Sequence, residues 1–455
     1  MTALFAAPAA CPTGRDAFPD ASRDVPETTT PASPPAPRAT AEQAAALRRD
    51  LEATGWGVDS VHHLLGDAAD AALRREIRLP ALRALHRVLD EDRAAGATPN
   101  PTAVLTVLFM LGQSVSVAEL DAALRRTRTR GALAMGLVEL VPDGAPDARG
   151  ADAVPSAGPD GAPAPAPDAR VRALVDLRPH EARDETGDVR WWIASDLGEL
   201  ATGAPLAPDH VLGIGGAGLA LAALTPRRPV AAALDLGCGC GIQTLYLLRH
   251  ADRVTATDVS ERALAFTAFN AALAAVGPDR LELLAGSLLE PVAGRRFDLI
   301  VTNPPFVLTP PAVREAGLPL MEYRDAGRPV LPGLVAGLGE HLGVGAAAVM
   351  LGNWEHRRGR DWRRDVAAWV PDDLDAWVIE RQAQDPVEYA ALWLRDGGLA
   401  PERDLPRFEA ALEAWIADFE ARGVEGVGLG YLIVHRPDPD SDGAPRAPWR
   451  VLEEV

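Results

Sequence analysis

The twelve-residue stretch LDLGCGCGIQTL, residues 234–245, constrains the fold of this chain more than any other segment. An apolar run leads to the acid Asp235, a glycine-rich turn follows, and an apolar helical pattern begins near Ile242. The glycines of the turn are separated by single residues and are Gly237, Gly239 and Gly241. A strand, a turn with few side chains and a helix N-terminus bring backbone close to a nucleoside-bearing cofactor. The stretch therefore predicts an α/β fold with a cofactor at this turn.

Two other interpretations of the turn stay open when it is taken alone. Dinucleotide-binding proteins carry the pattern G-x-G-x-x-G, whereas the spacing here is G-x-G-x-G, with Cys238 between the first two glycines. A glycine-rich turn that binds nothing is the other interpretation. Missing side chains at these positions would let the backbone touch the adenosine and amino-acid parts of a cofactor that has no pyrophosphate.

A second acid ends the next apolar segment. Residues 253–258 predict a short strand that finishes at Asp258, and a helix is predicted from Ser260 to about Ala275. An acid at the tip of a second strand typically accepts hydrogen bonds from ribose hydroxyls, and Val259 is expected to border the same ligand. The alternative is that Asp258 or Ser260 caps the helix. The register of this acid with the glycine turn favours the ribose role.

A third motif, Asn303-Pro304-Pro305-Phe306, follows an apolar strand predicted over residues 297–302. It places an amide and an aromatic ring where a planar nitrogen could be held. The alternative is a plain strand-ending turn, because proline ends ladders and restricts the residue before it. The position of the motif directly after an apolar strand favours the functional interpretation.

In this order, the three motifs resemble those of class I methyltransferases of the small-domain group, over about residues 205–310. That group includes rRNA guanine-N2, adenine-N6 and release-factor glutamine methyltransferases. The resemblance implies S-adenosyl-L-methionine as cofactor, held by Asp235, the glycine turn and Asp258. It also implies a substrate nitrogen held by the Asn303 side-chain oxygen and the Pro304 carbonyl, with Phe306 stacked on the planar substrate. Orientation and polar preorganisation would carry catalysis, without a metal or a strong base.

Two further segments are assigned to the cofactor. After the third predicted strand, residues 280–285, related enzymes often carry an acid that receives the adenine amino group. This chain has Ser287 and Leu288 near that place, and the serine hydroxyl or the Leu288 backbone is expected to substitute with lower affinity. Upstream, Gly215 and Gly216 lie in a glycine-rich loop expected to close over the methionine end of the cofactor. A plain flexible linker is the alternative.

The chain divides into three parts by composition and pattern. Residues 1–40 are rich in Pro, Ala, Thr and Ser and predict a disordered tail. Residues 41–200 predict a mainly helical domain that is winged-helix-like and presents substrate. Residues 201–455 predict the catalytic domain, with a doubly wound, largely parallel, seven-stranded sheet. Its later strands are predicted at 346–351, 376–381 and 428–436, and its later helices at 331–342, 386–395 and 406–421.

The winged-helix interpretation depends on a few segments of the second part. Residues 117–124 and 131–140, with a short turn between them, resemble a helix-turn-helix. Residues 143–169 are rich in Pro, Ala, Gly and Asp and predict a flexible linker or wing. Residues 171–178 and 189–195 alternate in polarity and predict a two-stranded ribbon.

The net charge of −19 argues against a surface built for nonspecific nucleic-acid binding. Two arginine-rich segments could still form a local basic groove, residues 125–130 and residues 357–364. The second lies among Trp354 and Trp362, so stacking on bases and contacts to phosphates could both arise there. The alternative is that its arginines pair with neighbouring acids, namely Glu355, Asp361 and Asp365.

Other functional classes receive no support. No segment approaches the roughly 18 apolar residues of a membrane span, and the N-terminus lacks a secretion signal. The three cysteines, two of them in the glycine turn, are too few for a zinc site or a disulfide framework. We therefore expect a cytoplasmic protein without a metal, and the sequence leaves its oligomeric state undetermined.

Three functions remain on this sequence. The first is methylation of an exocyclic amino group of a nucleic-acid base, in rRNA or tRNA rather than DNA. The second is methylation of a glutamine amide in a translation factor. The third is a non-catalytic regulator that senses the cofactor and binds DNA. Acidic charge favours the protein substrate, whereas the arginine segments and Phe306 favour RNA, and the intact Asn303 motif argues against the regulator.

Overall fold

The structure is a computed structural model that describes residues 33–142, 165–203, 206–307, 309–315, 329–439 and 446–455. The described α-helices are α1 (Ala41–Thr54), α2 (Val58–Leu73), α3 (Leu79–Ala94), α4 (Pro101–Leu105), α5 (Val117–Ala123), α6 (Arg128–Ala134), α7 (Glu199–Thr202), α8 (Gly216–Leu224), α9 (Ile242–Leu247), α10 (Glu261–Leu273), α11 (Pro311–Glu315), α12 (Leu331–His341), α13 (Trp362–Ala367), α14 (Pro386–Asp396) and α15 (Leu405–Arg422). The described strands are β1 (Val115–Ser116), β2 (Val138–Leu140), β3 (Arg170–Ala173), β4 (Asp176–Asp184), β5 (Gly187–Ser195), β6 (Val230–Leu236), β7 (Ala251–Asp258), β8 (Leu281–Ala285), β9 (Phe297–Thr302), β10 (Leu342–Arg357), β11 (Asp375–Gln384), β12 (Val424–His435) and β13 (Arg450–Glu454). A π-helical turn (Thr106–Met110) follows α4 and a 3₁₀ turn (Glu290–Val292) follows β8.

A central sheet with strand order β13-β11-β12-β10-β9-β6-β7-β8 organises the C-terminal part of the chain. Strand β12 runs antiparallel to β10 and β11, and the other neighbouring strands are parallel. The strand order reverses between β6 and β9, which is where ligands bind in open α/β sheets. This confirms the predicted doubly wound fold, with one addition. The sequence predicts seven strands, whereas residues 450–454 pair with β11 as an eighth, at the edge of the sheet.

Both faces of the central sheet are covered, because successive residues of each strand point to opposite sides. Leu299 of β9 belongs to a buried cluster that includes residues of α8, α9 and α10. Its neighbour Ile300 belongs to the cluster on the other face, which includes residues of α12 and α13. Two layers of helices on one sheet are the doubly wound arrangement.

The region before residue 200 contains a small sheet with order β1-β3-β2, all antiparallel. Helices α5 and α6 lie between β1 and β2 in the chain, which is a winged-helix connectivity. The second predicted helix of the helix-turn-helix differs from the prediction, since α6 covers 128–134 and residues 138–140 form β2. Residues 143–164, the core of the predicted linker or wing, lie outside the described residues. That this region presents substrate stays a prediction.

The predicted ribbon is wrong in its first strand. Residues 171–178 do not form one strand, because β3 joins the small sheet whereas β4 pairs with β5 in a separate hairpin. The pairing of Arg172 opposite Glu139 accounts for the placement of β3. Both side chains are buried, and the Arg172 Nε lies 2.8 Å from the Glu139 Oε1. A buried charge needs its partner, so this pair fixes the register of β3 against β2.

Two segments that the sequence predicts to be disordered are hydrogen-bonded to the folded chain at their C-terminal ends. The sequence predicts a disordered tail to residue 40, but Arg38 donates its backbone N–H to the Met135 carbonyl at 3.0 Å, and Thr40 caps α1. The flexible segment is predicted to residue 169, but the Pro167 and Ala169 carbonyls accept hydrogen bonds from the start of α5. Residues 1–32 lie outside the described part of the chain.

One continuous hydrophobic core joins the predicted domains 41–200 and 201–455. Its largest cluster contains Leu47, Phe109 and Trp192 from the first region together with Val254 and Phe266 from the second. The two regions therefore bury apolar surface against each other. Among the described helices, none has the length and apolar character needed to cross a membrane.

Candidate active site

The carboxyl ends of β6, β7 and β9 meet at one edge of the central sheet. Leu236, the last residue of β6, pairs with Thr257 on one side and with Thr302 on the other. Consequently Asp258, the last residue of β7, lies beside Gly237 and Asn303, which directly follow β6 and β9. The three motifs of the sequence analysis are thus brought to one place.

A cavity of about 380 Å³ opens at this edge, within the usual size range of ligand pockets. The predicted site residues that line it are Gly215, Gly237, Cys238, Gly239, Asp258, Val259, Ser287, Leu288, Asn303 and Pro305. The predicted site residues outside this lining are Asp235, Gly216, Gly241, Pro304 and Phe306. The structure therefore brings ten of the fifteen predicted site residues to the lining of one cavity.

The glycine turn is fixed to the strand beside it. The backbone N–H groups of Gly237 and Cys238 both donate to the Thr257 carbonyl, at 2.8 and 3.0 Å. Gly239 and Gly241 have φ values of 53° and 83°, in the left-handed region that favours glycine. A Cβ at residue 239 would meet no atom within 4 Å, whereas one at residue 241 would lie 2.9 Å from the Thr267 side chain. The first glycine keeps the cavity open, and the second permits close packing against α10.

Asp235 lies beneath the turn and does not line the cavity. Its carboxylate is 1% exposed and accepts a hydrogen bond of 2.5 Å from the Thr244 hydroxyl on α9. Burial raises the pKa of Asp235 to about 7, against the lowering effect of the hydrogen bonds from Thr244. Asp235 thus holds the start of α9 from behind the turn, and its role as a cofactor ligand stays a prediction.

Asp258 is held by backbone hydrogen bonds on both sides, and its predicted ribose role stays a prediction. Its Oδ2 accepts from the Gly239 N–H at 3.0 Å and its Oδ1 accepts from the Ser260 N–H at 2.9 Å. Ser260, not Asp258, is the N-cap of α10, since its hydroxyl accepts from Ala263. Burial raises the pKa of the Asp258 carboxyl, against these backbone hydrogen bonds. Asp258 thus steadies the turn while still lining the cavity next to the exposed Val259.

The end of β8 supplies the opposite wall. Gly286 adopts φ +150°, and a Cβ there would lie 2.5 Å from the Pro291 ring. The next residues, Ser287 and Leu288, both line the cavity, and Leu288 has a positive φ of 48°. The tight turn that glycine permits therefore directs these two residues toward the ligand space, where the sequence places them.

The two cysteines of the turn are free thiols and do not form a reactive pair. Burial raises the pKa of Cys238 and of Cys240, so both thiols stay protonated at neutral pH. Within the described residues, no three His, Cys, Asp or Glu side chains are placed to share a metal ion.

The Asn-Pro-Pro-Phe motif lies where the cavity meets a second one. Asn303 is exposed to the first cavity, and no described group hydrogen-bonds to its side-chain amide. Pro304 is buried, whereas Phe306 lines the second cavity. The ring of Phe306 is packed edge-on against Trp393, with centroids 6.2 Å apart. Asn303 therefore presents unused hydrogen-bonding groups to the first cavity, close in the chain to the second.

The second cavity, of about 420 Å³, shares Val330 with the first. It lies at the end of β10, and sequence analysis did not find it because its walls come from six elements, α12, β10, α13, α14, α15 and β12. Its aromatic lining residues are Phe306, Trp354, Trp369, Tyr389 and Phe419. Its polar lining includes the amide of Asn353, whose Nδ2 donates to the Tyr389 hydroxyl at 2.7 Å.

The arginine segment 357–364 follows the alternative interpretation. Arg357 pairs with Glu355 at 2.6 Å and Arg360 pairs with Asp365 at 2.5 Å. Trp354 and Trp362 are 3% and 5% exposed, and their rings stack on each other with centroids 5.2 Å apart. These rings cannot serve as an open stacking platform for nucleic acid, so that prediction is wrong.

The segment 125–130 is partly neutralised. Arg126 pairs with the buried Asp50 at 3.2 Å, and Arg128 pairs with Asp121 at 2.9 Å. Local acids thus compensate the basic charge that favoured RNA in the sequence.

Residues 215–316 match the family described as "Methyltransferase small domain", and residues 53–149 match "Domain of unknown function (DUF7059)". The first match spans the glycine turn, Asp258 and the Asn-Pro-Pro-Phe motif. It confirms that the chain contains a class I methyltransferase domain of the small-domain group.

Two curated relatives carry the name "Ribosomal RNA small subunit methyltransferase C". The one from Alcanivorax borkumensis is 42% identical over 73 residues, which are 16% of this chain and 21% of the relative. The one from Escherichia coli K12 is 38% identical over 91 residues, 20% of this chain and 26% of the relative. The chain therefore spans about a quarter of the length of these relatives. The solved structure of an rRNA methylase from Streptococcus thermophilus is 12% identical, with a TM-score of 0.28, and covers 50% of this chain and 100% of its own. A score this low supports no conclusion.

Proposed function

We propose that this chain, which contains a class I methyltransferase domain of the small-domain group, is an S-adenosylmethionine-dependent N-methyltransferase. We further propose that it acts on an exocyclic amino group of an RNA base. The observation that carries the proposal is the position of Asn303, whose amide lacks a partner among the described residues and lines the first cavity, three residues before Phe306 in the lining of the second. A neutral amide at this junction suits a reaction in which a nitrogen must be oriented rather than deprotonated.

The first cavity fits S-adenosylmethionine in its size and its donor set. The space beside Gly239, where a Cβ would meet no atom, leaves room for the amino-acid part of the cofactor along the turn. Asp258 keeps carboxylate lone pairs available to ribose hydroxyls, and Ser287 and Leu288 lie where the adenine would be received. When bound, S-adenosylmethionine supplies an electrophilic methyl group on its sulfonium.

The chain's own groups would orient the accepting nitrogen. The lone pair of an exocyclic amine is delocalised into its ring, which makes the amine a poor nucleophile. Acceptance of its two N–H groups by the Asn303 Oδ1 and the Pro304 carbonyl would direct the nitrogen toward the first cavity. Phe306 would hold the plane of the base from the side of the second cavity. As the nitrogen gains the methyl group it releases one proton to water, so orientation is the main requirement.

The second cavity supports a planar acceptor. Its aromatic walls lie directly beyond Phe306, and Asn353 and Glu355 offer polar groups at its lining. Aromatic walls suit a base removed from its stack, and a loop or single strand releases a base more easily than a duplex does. The curated relatives, which match only the methyltransferase part, are named as ribosomal RNA methyltransferases. These two observations favour RNA as the substrate.

A protein substrate is the second candidate, because a glutamine amide presents a similar planar N–H pair. The observation that favours it is the pairing of Arg357 and Arg360 with acids in a chain of net charge −19. Such a surface would attract the phosphates of RNA only weakly.

The test is transfer of labelled methyl from S-adenosylmethionine into a lysate of cells that lack the protein. We expect label that RNase removes and protease does not. The Asn303→Ala variant should lose at least a hundredfold in transfer rate while its cofactor affinity, measured by calorimetry, stays within about threefold. Protease-sensitive label would identify the glutamine substrate, and full activity of Asn303→Ala would refute the proposed mechanism.

A further inference from the structure

We infer that residues 194–196, at the end of β5, position two walls of the cofactor cavity and thereby make the N-terminal region part of the cofactor site. We call these three residues the brace. One wall is the glycine turn, and the other is the loop 208–215 on the far side of the cavity. The identity of the ligand as S-adenosylmethionine rests on the proposed function, whereas the brace itself rests on the contacts described next.

The first arm of the brace runs through Asn270 of α10, which is fully buried. The Asn270 Nδ2 donates to the Ala194 carbonyl and to the Cys240 carbonyl, each at 2.8 Å. The Oδ1 of the same amide accepts from the Ala194 N–H at 2.8 Å. One side chain therefore uses both of its N–H donors and its acceptor oxygen to tie β5 to the glycine turn.

The second arm runs through Asp196, which is 8% exposed. Its backbone N–H donates to the Val211 carbonyl at 3.1 Å, and its Oδ2 accepts from the Val211 N–H at 2.8 Å. Arg262 of α10 donates to the same carboxylate, with its Nε at 2.9 Å. The arginine supplies the charge that a buried carboxylate needs, so Asp196 holds the loop and α10 together.

The loop also packs directly on the brace. A Cβ at Gly213 would lie 2.8 Å from the Ser195 Oγ, so the loop backbone approaches β5 closely. Val211 and Gly213 both line the cofactor cavity. A shift of the strand end would therefore move residues that face the ligand, as well as residues behind it.

The brace assigns a role to the N-terminal region that differs from substrate presentation. The second cavity is built from β10, β12 and the helices α12 to α15, and none of the hydrogen bonds of the brace involves these elements. The cofactor cavity, in contrast, has both arms of the brace behind its walls. Because linkage is reciprocal, a ligand that displaced β5 would lower cofactor affinity by the same factor as cofactor lowers that ligand's affinity.

The experiment compares full-length variants at Asp196 with a matched variant at Asp50. Asp50 is also a buried acid of the N-terminal region, where it accepts from the Arg126 and Thr127 N–H groups, and it does not line the cofactor cavity. We expect Asp196→Ala to weaken S-adenosylmethionine binding by about tenfold in calorimetry. Asp196→Asn, which retains an acceptor for the Val211 N–H, should lose less. Asp50→Asn should lower the unfolding temperature without changing cofactor affinity.

Hydrogen exchange of the peptide covering residues 206–218 gives a second readout that needs no ligand. We expect faster exchange in Asp196→Ala than in the wild type, and no change in Asp50→Asn. Wild-type affinity and wild-type exchange in Asp196→Ala would overturn the brace. If the wild-type protein itself bound no S-adenosylmethionine, the proposed function would fail, while the exchange measurement would still decide the brace.

Discussion

At the residue scale, the buried carboxyl of Asp235, behind the glycine turn, determines how cofactor affinity and stability depend on pH. Asp235 has a pKa of about 7 in the folded chain, against 3.8 for an ordinary aspartate, because burial disfavours its charge. Folding therefore favours the protonated form, and the stabilising effect of that proton is lost as pH rises from about 3.8 through 7. S-adenosylmethionine carries positive charge, so its binding should favour the ionised carboxylate.

The Asp235→Asn variant tests this assignment. We expect wild-type affinity for S-adenosylmethionine to rise between pH 6 and pH 8, and the variant to show a flatter profile. The apo variant should also gain about 1 kcal/mol of stability relative to wild type on going from pH 6 to pH 8, since the asparagine carries no charge to bury. Calorimetric titration and thermal unfolding at both pH values measure the two effects. If the variant's affinity for S-adenosylmethionine changed with pH as that of the wild type does, another group would cause the pH dependence, and Asp258 would be examined first.

At the element scale, the length and curvature of β10 determine where an acceptor can lie. This strand runs sixteen residues and ends among the lining of the second cavity. Glu380 of β11 accepts hydrogen bonds from the Trp354 indole at 2.5 Å and from the His356 imidazole at 2.7 Å. Those bonds fix the Trp354 ring as a rigid wall. Trp369, just after α13, is only half-buried and faces the same space without such a tether.

Two tryptophan variants separate acceptor binding from general stability. Trp369→Ala removes an aromatic wall of the second cavity, and we expect the KM for the RNA acceptor to rise about tenfold, in keeping with about 1–3 kcal/mol for base stacking. Its cofactor affinity should stay that of the wild type. Trp377→Ala is the matched control, since Trp377 is 40% exposed on β11 and lies outside both cavities. Steady-state kinetics with both substrates measure these effects. Equal KM values of the two variants for the RNA acceptor would show that Trp369 does not contact the acceptor.

Elements also show what the sequence can and cannot predict. The apolar runs before Gly237, Asp258 and Asn303 predict their strands, because local pattern and motif agree. The split at residues 174–175 and the edge strand at 450–454 escape prediction, since the pairing partners of both strands are distant in the chain. The arginine segment misleads for a related reason: Arg363 finds Glu454 at 2.7 Å, an acid that sequence proximity does not suggest.

In the candidate site, the sequence predicts the residues that lie in motifs but not the residues that support them. Residues that face the ligand lie in recognisable motifs, so most of the cofactor lining could be named in advance. Thr244, Asn270 and Thr302, which hold those motifs in place, look like ordinary polar residues within helices and strands. Only the folded chain brings their hydrogen bonds to the site. The second cavity could not be predicted for the same reason, because it forms only when β10 and β12 meet the four helices α12 to α15.

At the scale of the whole molecule, the N-terminal region and the methyltransferase domain form one folding unit. They share a hydrophobic core, and the β4–β5 hairpin docks on α9 through a cluster of rings around Tyr246. Removal of residues 41–195 would take away α1 and β5, which pack against α10. A truncated protein could therefore lose activity only because it fails to fold. Point variants of the brace in the full-length chain distinguish loss of function from loss of folding.

The docked hairpin makes the stability of the whole molecule sensitive to acid. Burial lowers the pKa of His180, whose Nε2 lies 2.8 Å from the Tyr246 hydroxyl. Burial also lowers the pKa of His250, and the charge of Arg227 lowers it further. Both imidazoles are therefore neutral in the fold, and protons bind the unfolded chain more strongly. Stability is unaffected well above pH 6.5 and falls as pH drops below that value toward the lowered pKa values.

We expect the unfolding temperature of the apo protein to decrease from pH 7 to pH 5, with about 1.4 kcal/mol lost for each unit by which a pKa is lowered. Replacement of His250 by glutamine, which does not titrate, should remove part of that dependence. The folded and unfolded chains then no longer differ in protonation at residue 250. His63→Gln, at an exposed position on α2, is the matched control and should leave the profile as it is in the wild type. Thermal unfolding across this pH range measures all three proteins. If the unfolding temperatures of His250→Gln and wild type fell equally as the pH is lowered, His250 would not contribute to the acid sensitivity. His180→Gln would then test whether the contact between His180 and Tyr246 accounts for it.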